Sequence, residues 1–322
     1  RRKTMIEIHD LVKYYGEKLA LDHVSFTVEK GEILGFLGPN GAGKSTTMNI
    51  VTGFLSATSG NVTINGYDIL EKPHEAKSCI GYLPENPPLY LDMTVLEYLK
   101  FVSDLKGVSK SDRIAGLASI MKMVRITDVS ERLIKNLSKG YRQRVGIAQA
   151  MIGNPDVLIL DEPTVGLDPK QIIEIRNLIK ELGRHHTVIL SSHILSEVQA
   201  VCDRVVIINQ GRIAAIDTPA GLSKKMAATS KFQLAVEGPA NDIIQKIRLI
   251  PGVRMAEVIL EKEKNVHILE IENAADTDVR KQVFFEMARN SWPILEMKSL
   301  DPTLEEIFLK VTADGAQTGG NN

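Results

Sequence analysis

The chain has 322 residues, which at about 150 residues per domain suggests two domains. It carries 39 Lys and Arg against 40 Asp and Glu, so it has no basic excess for binding nucleic acid. Its 43% hydrophobic and 25% charged residues disfavour a disordered or fibrous chain. No apolar run approaches the ~18 residues of a membrane span. Two cysteines, Cys79 and Cys202, are too few for a disulfide framework, so we expect buried apolar fillers in a reducing, cytoplasmic protein.

In chain order, short β-branched runs alternate with amphipathic segments over the first two-thirds of the sequence. This alternation predicts a sheet covered by crossover helices. Three runs are almost wholly apolar, as parallel strands buried on both faces are: Ile33–Leu37, 157–160 and 188–190. Apolar residues at helical spacing predict a helix over Pro169–Leu182. They predict another over 94–106, burying Val95, Leu99, Val102 and Leu105.

The character of the sequence changes near residues 218–225. Before this point, two apolar runs flank Asn209-Gln210-Gly211-Arg212 and predict a β-hairpin. After it, predicted strands and helices follow in the order β-α-β-β-α-β, which fits a small ferredoxin-like unit. Its strands are 232–236, 253–260, 266–271 and 294–298, its helices are 240–249 and 278–290, and a last helix covers 303–311.

A glycine-rich segment follows the apolar strand Ile33–Leu37 and precedes the helical pattern 46–54. It satisfies the phosphate-loop pattern with Gly38, Pro39, Asn40, Gly41, Ala42, Gly43, Lys44 and Ser45. Its glycines leave backbone N–H groups free to bind phosphate, and the helix N-terminus adds a positive dipole end. Lys44 would supply a charge to the β and γ phosphates, and the Ser45 hydroxyl would bind Mg²⁺.

Two carboxylates end the apolar strand 157–160. Asp161 and Glu162 should therefore lie in the crevice at the carboxyl end of the sheet, where open α/β sheets bind ligands. Adjacent buried acids repel each other and lose hydration, and Mg²⁺ would compensate. We expect Asp161 to bind the metal through water and Glu162 to polarise an attacking water. Together with the phosphate loop, they predict a nucleoside triphosphatase.

Four further motifs give the sequence a specific resemblance. Between the phosphate loop and the acids lies Leu137-Ser138-Lys139-Gly140-Tyr141-Arg142-Gln143-Arg144, which resembles the signature motif of ATP-binding cassette (ABC) ATPases. Val165-Gly166-Leu167-Asp168-Pro169 is similar to their D-loop, and Ser191-Ser192-His193 to their switch histidine. Lys13-Tyr14-Tyr15-Gly16 resembles their adenine-stacking loop.

The resemblance implies an α/β fold and a domain plan. Residues 5–220 would form an ABC nucleotide-binding domain with a RecA-like core, an antiparallel β subdomain and a helical subdomain. Residues 228–312 would form a C-terminal α+β ferredoxin-like domain that is dimer-stabilising or regulatory. Residues 1–4 are expected to be an addition before a natural start at Met5, and residues 313–322 a disordered tail.

The resemblance also implies the roles of residues in the site. The expected ATP-binding residues are Tyr15, Gly38, Pro39, Asn40, Gly41, Ala42, Gly43, Lys44, Ser45 and Thr46, with Tyr14 a rival for adenine stacking. Glu162, His193 and Lys44 would be catalytic, and Asp168 would belong to the D-loop. Ser138, Lys139, Gly140 and Tyr141 would bind the ATP of the opposite subunit, so the chain must dimerise around two ATP. Ser138 is also expected as a helix N-cap, and one residue can serve in both roles.

Two positions depart from the family pattern. Glu85 stands where the family usually has Gln; its carboxylate can bind Mg²⁺ or its water, but adds negative charge beside the phosphates. The signature reads Ser-Lys-Gly-Tyr instead of Ser-Gly-Gly-Gln, and Lys139 adds positive charge that would offset Glu85 across the dimer.

The loop 85–91 is proline-stiffened and apolar, and in family transporters the equivalent loop borders the groove for the membrane subunit. With the altered signature and the C-terminal segment 301–308, it resembles export-type subunits of the gliding-motility, multidrug or sodium exporter group. We therefore expect a Mg²⁺-dependent ATPase that powers a separate permease from the inner face of the membrane. The alternatives are a soluble ABC ATPase acting on nucleic acid or ribosomes, and a non-catalytic regulatory paralogue. Near-neutral charge and intact motifs disfavour them, and Arg142 and Arg144 are expected to line a helix face.

Overall fold

The structure is a computed structural model that describes residues 3–226, 229–263, 265–274 and 277–300. The described residues fall into two compact units, one ending at Pro219 and the other beginning at Ala220. The helix expected over 303–311, the segment 301–308 and the tail 313–322 lie outside the described residues. Within them, no helix is long and apolar enough to cross a membrane.

The first unit contains two sheets and the helices that pack on them. Its strands are β1 Thr4–Tyr15, β2 Lys18–Glu29, β3 Ile33–Leu37, β4 Ser59–Ile64, β5 Tyr67–Asp68, β6 Ile80–Leu83, β7 Val157–Asp161, β8 Thr187–Ser192, β9 Arg204–Asn209 and β10 Arg212–Asp217. Its helices are α1 Lys44–Val51, α2 Pro73–Ser78, α3 Val95–Leu105, α4 Lys110–Met123, α5 Lys139–Met151, α6 Pro169–Leu182 and α7 Leu195–Val201.

The core sheet has the strand order β10-β9-β3-β8-β7-β6. All neighbours pair in parallel except β9 and β10, which form the predicted hairpin. Every residue of β3, β7 and β8 is buried, which explains their nearly continuous apolar sequences. In the register, Leu37 lies opposite Ser192, Asp161 opposite Ser191, and Leu83 opposite Leu160. The segments that follow β3, β8, β7 and β6 therefore emerge at one edge of the sheet.

A second, antiparallel sheet has the order β2-β1-β4-β5 and is the expected β subdomain. Apolar side chains of both sheets form one core, in which the rings of Phe26 and Phe36 lie 5.3 Å apart. Cys79 and Cys202 are free and buried, as expected, and burial raises the pKa of the Cys202 thiol. The two sheets thus share a hydrophobic core behind the edge where the loops meet.

Four helices of this unit begin at side-chain caps, and at α4 Ser109 accepts from the Asp112 N–H. Thr94 and Glu97 form a reciprocal capping box at α3, Ser138 caps α5, and Asp168 caps α6. The expectation that α3 buries Leu105 is wrong, because this side chain is 71% exposed. The helix buries Tyr98 instead, one turn after Val95, and its apolar stripe leaves the core after Val102.

The second unit is a four-stranded antiparallel sheet with helices. Its elements are α8 Pro219–Met226, β11 Thr229–Glu237, α9 Ala240–Arg248, β12 Val253–Glu263, β13 Val266–Ala274, α10 Arg280–Arg289 and β14 Ile294–Ser299. The strand order β12-β13-β11-β14, with all pairs antiparallel, is that of a ferredoxin-like unit. Its separate core includes Phe232, Leu269, Ile243 and Val283 from the sheet and both helices.

The packing of α5 against β6 yields a stability prediction. A Cβ atom at Gly81 would overlap the backbone carbonyl oxygen of Ala150, which cannot move without shifting α5. We expect Gly81→Ala to destabilise the first unit by about 1–3 kcal/mol. In the control Gly116→Ala, an exposed position in α4 with open space around it, we expect stabilisation by about 0.5–1 kcal/mol. Thermal unfolding followed by circular dichroism measures both, and an unchanged midpoint for Gly81→Ala would contradict the close packing.

Candidate active site

A cleft of about 960 Å³ lies at the carboxyl edge of the core sheet. Its walls come from the phosphate loop, the start of β2, the β9–β10 turn and the loops after β6, β7 and β8. They contain Tyr15, Lys18, Leu19, Ala20, Asn40, Gly41, Gly43, Lys44, Ser45, Thr46, Glu85, Glu162, Val165, His193, Gln210 and Gly211. Seven of the ten expected ATP-binding residues line this cleft.

The phosphate loop connects the buried strand β3 to the N-terminus of α1. Gly43 precedes the helix at φ 109°, where a Cβ atom would lie 2.7 Å from Leu21 Cδ2 and 3.1 Å from the Ala20 oxygen. Only glycine fits this position, because both the backbone angle and the close approach of β2 exclude a side chain. The first N–H groups of α1 have no partner within the helix and form an anion site at the cleft.

Lys44 is buried, with only 6% of its surface exposed. Its Nζ donates to the carbonyl oxygens of Gly38 at 2.8 Å and Pro39 at 3.3 Å, and lies 3.6 Å from Glu162 Oε1. Gly38 and Pro39 do not line the cleft themselves; their carbonyl groups hold the lysine. Ala42 is also buried away from the cleft, and its carbonyl accepts from the N–H of Gly211 at 2.9 Å.

Glu162 and His193 form a contact across the ends of β7 and β8. Nδ1 of His193 lies 2.8 Å from Oε2 of Glu162, within hydrogen-bond distance. Glu162 adopts φ 49°, an uncommon backbone conformation for this residue type, and its N–H donates to the Ser191 oxygen at 3.0 Å. The Glu162 side chain is buried while that of His193 is 42% exposed, so the histidine reaches from the buried acid toward the cleft. This arrangement suits an acid that accepts a proton and a histidine that orients it.

Asp161 lies at the end of β7, below the cleft surface and only 3% exposed. Its Oδ1 has no hydrogen-bond partner among the described residues. Burial raises the pKa of this carboxyl, and the charges of Glu162 and Glu85 act in the same direction. A cation would offset this cost, so the orphaned oxygen and the Ser45 hydroxyl in the cleft fit a magnesium complex of a nucleotide. The described residues contain no cluster of three His, Cys, Asp or Glu that could hold a metal by itself.

The structure distinguishes between Tyr14 and Tyr15, the two candidates for adenine stacking. Tyr15 lines the cleft, whereas Tyr14 does not. Lys13 Nζ lies 5.4 Å from the Tyr15 ring centroid, at the end of β1. His186, just before β8, is buried, with Nδ1 2.7 Å from the Pro155 oxygen.

Six residues of the cleft were missed by sequence reasoning: Lys18, Leu19, Ala20, Val165, Gln210 and Gly211. Gly211 belongs to the predicted hairpin turn, but its contacts lie far away in sequence. Its carbonyl accepts from the N–H of Asp22 at 2.8 Å, and a Cβ atom there would lie 2.7 Å from the Ala20 oxygen. The local sequence does not predict that this turn contacts both β2 and the phosphate loop.

The signature residues Ser138, Lys139, Gly140 and Tyr141 and the D-loop Asp168 do not line the cleft of their own chain. Ser138 caps α5 by accepting from the Tyr141 N–H at 3.3 Å. The Tyr141 hydroxyl donates to Asp128 at 2.8 Å, and Asp168 accepts from the Gln171 N–H at 2.9 Å. A Cβ atom at Gly140 would lie 2.7 Å from the Gln171 side chain, so the signature packs closely against α6.

Arg144, expected to line a helix face together with Arg142, belongs to α5 and is buried. Its guanidinium donates to the Val124 oxygen at 3.0 Å and to Glu174 at 2.5 Å, which ties α5 to the end of α4 and to α6. The arginine therefore stabilises the helix that carries the signature.

A second cleft, of about 530 Å³, borders the loop that follows β6. It is lined by Asn49, Phe54, Ile80, Tyr82, Pro84, Asn86, Pro88, Lys106, Gln149 and Ala150. Phe54 is 84% exposed at this cleft, and on the adjoining loop Tyr90 and Leu91 are also exposed. We call this second cleft the α1–α5 groove, because α1 and its following turn form one side and the end of α5 the other. Such an exposed apolar cluster is typical of an interaction site.

Comparisons with known proteins agree with this geometry. A sequence model of the family described as ABC transporter matches residues 21–165. The linearmycin resistance ATP-binding protein of Bacillus subtilis (strain 168) is 34% identical over 96% of this chain and 98% of its own length. The bacitracin transport ATP-binding protein of Bacillus licheniformis is 32% identical over 97% of this chain and 98% of its own.

Solved structures are similar over about two-thirds of the chain. An ATP-binding subunit of an ABC transporter has a TM-score of 0.64 at 31% identity, covering 69% of this chain and 93% of that one. A dimeric ATP-binding cassette in a post-hydrolysis state with ADP and Pi has a TM-score of 0.61 at 25% identity, covering 66% and 98%. One cleft of this chain contains the phosphate loop, Glu162 and His193, and the chain is similar to ABC transporter ATP-binding proteins over nearly its whole length. The chain therefore belongs to the ATP-binding proteins of ABC transporters and is an ATPase.

Proposed function

We propose that this chain hydrolyses Mg²⁺-ATP as one half of a head-to-tail dimer and powers a separately encoded permease of an exporter. One observation carries the dimer: the cleft contains Lys44, Glu162 and His193 but none of the signature residues. A second copy, or a homologous ATPase, would supply Ser138–Tyr141 to the exposed side of the nucleotide. The names of the two Bacillus relatives, which refer to resistance and transport of antibiotics, support an exporter.

The proposed mechanism uses groups whose positions are described above. The N–H groups of the phosphate loop bind the β and γ phosphates, and Lys44 exchanges its contact with Glu162 for the γ-phosphate. Glu162 then accepts a hydrogen bond from the attacking water and takes its proton as the bond to the γ-phosphorus forms and the bond to the leaving ADP oxygen breaks. His193 holds Glu162 and faces the γ-phosphate. Mg²⁺, bound by Ser45 and by Asp161 through water, would neutralise charge on the phosphate oxygens.

Replacing the proposed base separates binding from turnover. We expect Glu162→Gln to lower kcat about 100-fold or more while ATP still binds, because the amide keeps the shape of the side chain but cannot take the proton. The trapped ATP should hold two copies together, so gel filtration with ATP should show a dimer. Steady-state ATPase assays and nucleotide titrations complete the measurement.

Lys44→Ala is the matched comparison, because it should lose nucleotide binding itself. The exposed Lys30→Ala on the loop before β3 should change neither binding nor turnover. A Glu162→Gln protein that stays monomeric with bound ATP would refute the sandwich dimer of the isolated subunit, and wild-type turnover would refute the role of Glu162.

Glu85 gives a prediction about the metal. This residue lines the cleft, and its charge raises the pKa of both Asp161 and Tyr82, although burial is the larger cause for each. It should therefore repel metal-free ATP more strongly than the magnesium complex. We expect Glu85→Gln to tighten binding of ATP in the presence of EDTA about tenfold, the size of one unit-charge interaction at a partly exposed site. Binding of Mg²⁺-ATP should change less.

Fluorescence titration with and without Mg²⁺ measures both affinities. The control Glu131→Gln removes an exposed carboxylate that does not line the cleft, and should change neither. Equal changes in the two affinities for Glu85→Gln would show that Glu85 does not discriminate between them.

The α1–α5 groove, together with the loop 85–91, is the proposed docking site of the permease. Phe54 is its most exposed apolar side chain, and Tyr90 is supported from behind by Phe101, with ring centroids 5.4 Å apart. An apolar helix of the permease would bury these side chains. The ATPase would then lie on the cytoplasmic face of the membrane because the permease holds it there.

Charge placed in the groove tests the docking site. We expect Phe54→Glu to abolish recovery of a polytopic membrane protein from detergent-solubilised membranes, without changing ATP binding by the isolated chain. Ile114→Glu is the matched control, since Ile114 is 78% exposed on α4 but does not line the groove. Recovery of the wild-type chain with ribosomes or DNA, and with no polytopic protein, would instead support a soluble ABC ATPase.

A further inference from the structure

Glu197 is a buried carboxylate behind the proposed catalytic pair. It belongs to the first turn of α7 and is only 2% exposed, and it does not line the nucleotide cleft. An acid in the first turn of a helix ordinarily faces water and stabilises the helix dipole. Glu197 instead faces the interior, where an ionised carboxylate is costly unless it is hydrogen-bonded and paired.

Its Oε2 atom accepts hydrogen bonds from two hydroxyl groups. Thr164 Oγ1 donates at 2.6 Å and Ser192 Oγ at 3.2 Å. Thr164 follows Glu162 by two residues in the turn after β7, and Ser192 directly precedes His193 at the end of β8. One carboxylate oxygen therefore joins the two loops that carry Glu162 and His193.

The Ser192 hydroxyl also accepts from the N–H of Ile194 at 3.0 Å, so it holds the backbone on both sides of His193. On the other loop, Glu162 has the uncommon φ of 49°. Such a conformation persists only where the surroundings determine it. The bond from Thr164 to Glu197 provides part of that constraint.

A third contact reaches α6, the helix that begins after the D-loop Asp168. Arg176 Nη2 lies 4.0 Å from the Oε1 atom of Glu197, at the distance of a weak ion pair. Neither Glu197 Oε1 nor Arg176 Nε has a hydrogen-bond partner among the described residues. The carboxylate is thus buried with hydrogen-bond donors at only one of its two oxygens, an arrangement that calls for an explanation beyond packing.

We propose that Glu197 is a positioning residue that holds Glu162 and His193 at their 2.8 Å contact by fixing both loops through Thr164 and Ser192. The proposal rests on the catalytic roles proposed for Glu162 and His193. Glu197 itself touches neither the nucleotide cleft nor these two side chains; it acts through the backbone of the loops that carry them.

Two variants of similar size separate positioning from packing. Glu197→Leu fills the space but removes both acceptor contacts, whereas Glu197→Gln keeps one oxygen that can accept from both hydroxyls. We expect Glu197→Leu to lower kcat about tenfold to 100-fold, the loss associated with a misplacement of about 1 Å, with KM for ATP changed less than about twofold. Glu197→Gln should restore kcat to within about threefold of the wild type. The imidazole NMR signal of His193, assigned with His193→Asn, should shift in Glu197→Leu and return in Glu197→Gln.

Single replacements of the two donors keep the test valid if Glu197→Leu does not fold. Thr164→Val and Ser192→Ala each remove one bond, and each should lower kcat at constant KM. Assays are run well below the unfolding midpoint of each variant, so that loss of folded protein is not read as loss of turnover. Wild-type kcat and an unshifted His193 signal in the folded variants would overturn the proposal, as would equal losses in Glu197→Leu and Glu197→Gln.

Measuring Glu162→Gln together with the Glu197 variants distinguishes a failure of the positioning role from a failure of the proposed ATPase mechanism. If Glu162→Gln turns over ATP like the wild type, the proposed function fails. If Glu162→Gln is inactive while Glu197→Leu is fully active, the catalytic assignment stands and only the positioning role of Glu197 is wrong.

Discussion

The register between β7 and β8 is the constraint on which the site depends. Asp161 lies opposite Ser191, so the next residues of the two strands leave the sheet side by side. The bond from the Glu162 N–H to the Ser191 oxygen continues this ladder by one step and turns the Glu162 side chain toward His193. A slip of one residue would send every side chain of a strand to the opposite face. Because both faces of these strands are buried, the core fixes the register and the register fixes the acid–histidine contact.

At this edge of the sheet, carboxyl groups outnumber the buried ammonium group of Lys44. Lys44 faces Glu162, while Asp161 and Glu85 add two further carboxyl groups, and the ammonium already donates to two carbonyl oxygens. Burial raises the pKa of Asp161, and its Oδ1 atom has no hydrogen-bond partner among the described residues. The site therefore favours a ligand that brings its own cation, and a metal complex of a nucleotide supplies both the anion for the loop and the cation for the acids. Glycine at position 43 lets the loop approach β2 closely enough to form this cradle.

Much of the fold could be predicted from sequence because its signals are local. The limits of β3 and α6 coincide with the apolar run and the helical spacing, and the phosphate loop was recognisable from residue types alone. What could not be predicted depends on partners distant in the chain. The burial of Arg144 depends on Glu174 of α6, which is 30 residues away in the chain. Gly211 belongs to a predicted turn, but its close approach to β2 is not visible in the local sequence. Leu105 fits the stripe of α3, but spacing does not show where a helix leaves its core.

Helix α5 extends from the signature to the α1–α5 groove. Its N-terminal end is the signature, capped by Ser138, and its C-terminal end contributes Gln149 and Ala150 to the α1–α5 groove. Lys106 donates to the Ile152 oxygen at 2.7 Å just beyond this end, and the fit of Gly81 against Ala150 leaves no room for sliding. The thirteen residues of α5 span about 20 Å. The pair Arg144–Glu174 ties α5 to α6, the helix whose Arg176 Nη2 lies 4.0 Å from Glu197 Oε1. Contacts along α5 and α6 thus connect the proposed docking site with the signature and with Glu197.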